Sequence, residues 1–83
     1  MTLAHAQQTG MRQPPARLQA LEETLLATLK TSPTAANWEK LGLSRHLQNR
    51  FEEAIPAFRE AVRLDPSLWT SHLFLGIGLY RTN

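Results

Sequence analysis

The stretch that decides the fold is Trp38-Glu39-Lys40-Leu41-Gly42, followed by Ala54-Ile55-Pro56-Ala57-Phe58, then Ala61 and Pro66. Trp38, Leu41 and Gly42 fall on one face of a helix, and Ala54, Phe58 and Ala61 recur at the steps of four and three that mark one face of a second. Between them Gln48-Asn49-Arg50 reads as a turn. Asn49 suits a left-handed backbone conformation, which Asn tolerates better than most residues other than glycine. The small residues have a packing logic. Gly42 removes a side chain so that a partner helix can approach, and Ala54 and Ala61 do the same from the other side. Trp38, Leu41 and Phe58 fill the space between, and Asp65-Pro66 stops the second helix so that the chain can fold back.

The flanks extend the pattern. Leu18, Leu21, Leu25 and Leu29, widened by Leu26, predict a helix from Ala16 to Thr31, which Pro33 ends. Its Glu22 and Glu23 are read as first-turn acids and Lys30 as a last-turn base, both suiting the helix dipole. Thr34 is placed to cap a second helix over 35–47. A third spans 51–64 with Phe51, Ala54, Ile55, Phe58, Ala61 and Val62 as its buried stripe. Pro56 sits inside it, about one turn from the start, where it costs stability or bends the axis. A fourth begins between Ser67 and Trp69 and carries Leu73, Phe74, Ile77 and Tyr80 at helical spacing. Gly76 and Gly78 weaken it by roughly 1 kcal/mol each against alanine.

These segments repeat. Leu41-Gly42 recurs 34 positions later as Leu75-Gly76, Leu43 as Ile77 and Asn49 as Asn83. The first helix maps onto the third at 33: Arg17 onto Arg50, Leu18 onto Phe51, Leu25 onto Phe58, Leu29 onto Val62, Pro33 onto Pro66. Periods of this length mark stacked helix-turn-helix units. The Trp38-to-Pro66 unit resembles a tetratricopeptide repeat. The resemblance covers most of residues 16–83 and implies an all-α fold: antiparallel helix-turn-helix repeats of an α-solenoid, about four helices in all. Residues 15–32 resemble the second half of one repeat, 34–66 a complete repeat, and 67–83 the first helix of a next, truncated one, as in a fragment of a longer repeat protein. Trp38, Leu41, Gly42, Ala54, Phe58, Ala61, Pro66, Leu75 and Gly76 carry the signature. Two places depart from it: Arg45 stands where an aromatic is expected three residues after Gly42, and His72 where one is expected early in the fourth helix. The first leaves the packing of the turn region open.

Such repeats are interaction modules, so the resemblance implies a non-catalytic scaffold that binds a protein or peptide without a cofactor. Its concave groove is lined by the first helix of each repeat: here Ala36, Glu39, Lys40, Leu43, His46 and Leu47, then Thr70, Leu73, Phe74, Ile77, Tyr80 and Arg81. Relatives that grip acidic chaperone tails use a clamp of Lys, Asn and Arg. With Glu39 and Leu43 at clamp places and Lys40 as the one cation there, that function is not carried over. Phe74, Ile77 and Tyr80 also fit as core residues awaiting a missing helix. Two alternatives stand beside the interaction module: a docking segment of a larger enzyme, and self-association through an unpaired last helix.

Other chemistry finds little support. The chain has 83 residues and no cysteine, which removes disulfides and thiolate metal sites. Nine basic residues face seven acidic ones, interspersed, so neither composition nor a basic run points to nucleic acid. Arg45, Arg50, Arg59 and Arg63 surround the helix-turn-helix, but Glu52, Glu53 and Glu60 interrupt them, which is unlike a DNA-reading helix. No apolar run is long enough to span a membrane. His5, His46 and His72 have no carboxylate at ligand spacing, and zinc sites use local ligand pairs. Glu52-Glu53 are explained by the helix dipole. Gly76-Ile77-Gly78 lacks the preceding strand of a phosphate loop, and Ser44 lacks a base. Residues 1–14 are polar, contain Gly10, and read as a disordered tail. Ala4-His5-Ala6 has the small-x-small step of a signal-peptide cleavage site without the basic and apolar regions before it. It is either chance or a remnant, and the location is left open: cytoplasmic or, with a remnant, secreted or periplasmic.

Overall fold

The structure is a computed structural model that describes residues 16–83. The expected tail over 1–14, its signal-peptide step and His5 lie outside the described residues. Four α-helices follow in order: α1 (Ala16–Thr31), α2 (Ala35–Leu47), α3 (Phe51–Leu64) and α4 (Trp69–Thr82). Consecutive helices pack on one another, and α2 also touches α4. This is the expected all-α helical-repeat architecture.

Local chemistry sets the boundaries. The Asn37 backbone N–H donates to Thr34 Oγ1 at 3.2 Å, and its side-chain amide donates to the Ser32 carbonyl at 2.9 Å, so α2 is capped from both sides of Pro33. At its other end Asn49 has φ 61°. That single left-handed residue lets the Arg50 N–H reach the Arg45 carbonyl and the Asn49 N–H reach that of His46, each at 2.9 Å. Both bonds satisfy helix-end carbonyls that would otherwise have no partner. After α3, Asp65 Oδ1 accepts from the Ser67 N–H at 3.1 Å and the Ser67 hydroxyl at 2.6 Å. These two bonds hold the Asp65 carboxyl below its ordinary range and start the turn into α4. Pro56 lies on the exposed side of α3, and the helix runs through it.

The core is built where the repeat pattern places it. Leu41, Ala54, Phe58 and Ala61 are buried with Leu25 and Leu29, and Trp38 packs on the edge of that cluster. Ala57, not expected in the stripe, is buried as well. On α1 the expectation needs correction. Leu21 and Leu26 are exposed, and the buried stripe runs instead through Glu22, Leu25 and Leu29. Glu22 and Glu23 are not in the first turn, since α1 begins at Ala16.

Candidate functional site

The turn region, where Arg45 replaces an aromatic, is closed by charge. Arg45 Nε donates to Glu22 Oε2 at 3.2 Å, and Arg50 Nη1 donates to Glu22 Oε1 at 2.6 Å. Gln48 Nε2 donates to the same carboxylate at 3.4 Å and to the Ser44 carbonyl at 3.0 Å. The Arg45 Nη1 also donates to the Glu53 carbonyl at 3.0 Å, and Arg50 pairs with the Glu53 side chain. One acid on α1 thus joins α2, the turn and the start of α3. Burial alone would raise the Glu22 pKa; hydrogen bonds from Arg50, Arg45 and Gln48 outweigh it, and the carboxyl lies below its usual range. Glu22 in turn holds the Arg50 guanidinium above its ordinary pKa. A dipole role does not account for Glu22; ion pairing does. The sequence carries a signal for this: an acid at 22 interrupts an apolar series at 18, 25 and 29, and a cation, Arg45, stands at an aromatic's place.

Of the proposed groove residues, the structure divides two groups. The first is consumed in helix packing. Glu39 Oε2 accepts from the Ser71 hydroxyl at 2.8 Å, tying α2 to α4. The His46 ring sits edge-on between Phe51 and Phe74, with centroids at 5.0 and 4.8 Å. Phe74 stacks on Phe58 at 5.9 Å. Arg81 lies over the Phe51 ring at 5.3 Å, a cation–π contact at the end of the same aromatic file. The second group is open. Leu47 is 67% exposed, Leu73 50% and Tyr80 83%. Ala36 and Lys40 are also exposed, while Leu43, Thr70 and Ile77 are half-buried.

His46 is the one titratable group of this region held among rings. Its Nδ1 is buried without a hydrogen-bond partner. Burial, and then the positive charge of Arg81, push its pKa down, so the ring is neutral at neutral pH. His72, by contrast, is exposed and its Nε2 lies 2.8 Å from the Pro66 carbonyl. Among the described residues, no three His, Asp or Glu side chains converge on a point that could hold a metal ion. No described helix is long and apolar enough to cross a membrane. A cleft of about 500 Å³ lies between the α3 start and the α4 end, lined by Asn49 to Glu53, Arg81 and Thr82. Its two cations, Arg50 and Arg81, are matched by two acids, Glu52 and Glu53, and it presents no single charge to a ligand.

No curated protein and no solved structure matches the chain. Residues 35–68 match the family model of the tetratricopeptide repeat. That span runs from the first residue of α2 to two residues past Pro66, so it contains the buried Leu41 and Phe58, the Asn49 turn and the Ser67 bonds to Asp65. Residues 35–68 are therefore one tetratricopeptide repeat, a unit found in protein-interaction modules.

Proposed function

We propose that the chain is a non-catalytic scaffold that binds an amphipathic peptide or helix along the side of α2 and α4 where Leu47 and Leu73 are exposed. The observation that carries this reading is the exposure of large apolar side chains on these two helices while their neighbours Glu39, His46 and Phe74 are spent on holding the helices together. Rigid helices with apolar side chains left outside suit helix-in-groove recognition. Lys40 stands exposed on α2 as a cation, which favours a ligand with an acidic edge. Glu39 is engaged by Ser71, so it opposes such a ligand less than a free carboxylate would.

The test is a selection of amphipathic peptides from a display library on the immobilised chain. Selected peptides are then titrated by fluorescence anisotropy against Leu47→Asp and Leu73→Asp variants. Both positions are exposed, so far-UV circular dichroism should be unchanged. A tenfold or greater loss of affinity, about 1.4 kcal/mol, supports the groove. Equal affinity for variants and parent refutes it.

A further inference from the structure

The two outer helices are half-repeats of opposite kind. α4 corresponds to α2, at 34 positions, and is a first helix; α1 corresponds to α3, at 33, and is a second helix. Inside the chain the α2–α3 pair is complete: the Phe58 ring fills the space over Gly42, and Leu41 is 1% exposed. At the corresponding place on α4, nothing stands within 4 Å of where a Gly76 side chain would begin, and Leu75 is only half-buried. α1 shows the converse. Its stripe of Leu18, Leu21 and Thr28 takes the places of Phe51, Ala54 and Ala61, yet Leu21 is 45% exposed where Ala54 is fully buried. Among the described residues, α4 lacks a second helix and α1 lacks a first.

We propose that α1 of a second copy seats on α4 of the first, completing a repeat between molecules, so that chains add head to tail. The contacts inside the chain set the register. The second copy's Leu25 lies over Gly76 as Phe58 lies over Gly42. Leu25 also contacts the core of its own chain, and a residue at this place can serve two neighbours, as Phe58 touches both Gly42 and Phe74. The second copy's Lys40 approaches Tyr80 as Phe74 approaches His46, and a lysine over a tyrosine ring is attractive. The interface is heterologous: the surface used on one copy differs from that used on the other, so addition does not stop at two. Leu73 takes the place of Glu39 and so lies at the joint, but Leu47 is not required there, so this assembly and peptide binding tested at Leu47 can each fail alone.

The test is sedimentation equilibrium of the 1–83 chain with two blocked variants. Leu21→Lys charges the α1 face, and Gly76→Lys fills the space over α4. Lysine is a better helix former than glycine and meets open space at 76, so lost assembly there is not lost folding; circular dichroism checks both variants. The expected result is a parent whose mean mass climbs past that of a dimer with concentration, and two variants that are monomers alone. Mixed in equal amounts, the variants form a dimer and stop, because one intact α4 face meets one intact α1 face. A parent that is monomeric at about 1 mM, a concentration that reveals even weak association, overturns the proposal; that is also the outcome if another part of the same chain covers α4. Dimers of Leu21→Lys alone overturn it in favour of α4 pairing with α4.

Discussion

Three carbons of the Phe58 ring lie 2.7–2.8 Å from where the Cβ of a side chain at Gly42 would be. The ring is fully buried and stacked on Phe74, so it has no room to retreat. Gly42 is therefore present for contact and not for flexibility, since its backbone is ordinary helix.

Gly42 and Gly76 should answer alanine with opposite signs. Gly42→Ala overpacks the Phe58 contact and is expected to lower stability by about 1–3 kcal/mol, even after the gain in helix propensity. Gly76→Ala meets open space and should raise stability by up to about 1 kcal/mol. Urea denaturation measures both. The same sign for the two would show that the Phe58 contact does not govern residue 42.

Glu22 should behave as the joint between α1 and the repeat. Glu22→Gln keeps the shape, removes the charge, and is expected to cost about 1–3 kcal/mol. A double-mutant cycle between Glu22 and Arg45 should return a coupling of about 0.5–3 kcal/mol. The folded carboxyl has a lowered pKa, so its stabilisation is complete above the unfolded value of about 4.3 and is lost as pH falls through the lower folded value. Acid denaturation curves of parent and Glu22→Gln should converge in that range; parallel curves would remove Glu22 from the acid response.

His46 should add a second pH dependence at higher pH. Its folded pKa is lowered, by burial first and Arg81 second, so the unfolded state binds the proton more readily. Stability therefore falls as pH drops below the unfolded value of about 6.5, until the folded value is passed. His46→Phe should flatten this window. NMR titration of the His46 ring should give a midpoint below 6.5; a midpoint at or above it refutes the burial argument.

Asn49 at φ 61° predicts a graded series in the turn. Asn49→Gly should be neutral or slightly stabilising, and Asn49→Val should cost roughly 1–2 kcal/mol from steric conflict in the left-handed region. Thermal denaturation separates them; an undiminished Asn49→Val would mean that the turn adopts another conformation.

The sequence alone determined the helices, the turn and the repeat. Trp38, Leu41, Gly42, Ala54, Phe58, Ala61 and Pro66 suffice because helix periodicity, helix stops and small-residue contacts are local or recur at fixed spacing. Asn49 was legible for the same reason: the left-handed region admits few residue types. The tertiary structure alone decided what joins the repeat to its neighbours. Glu22 and Arg45 are 23 positions apart, and neither residue type reports its partner until the helices are packed. The proposed groove was legible only as a set of positions. Whether a side chain there is open, like Leu47 and Tyr80, or spent on packing, like Glu39, His46 and Phe74, depends on the adjacent helix. Gly42 and Gly76 make the point most simply. They occupy equivalent places in the repeat, and one is filled by Phe58 while the other is open, because burial belongs to a pair of helices and sequence pattern to each one singly.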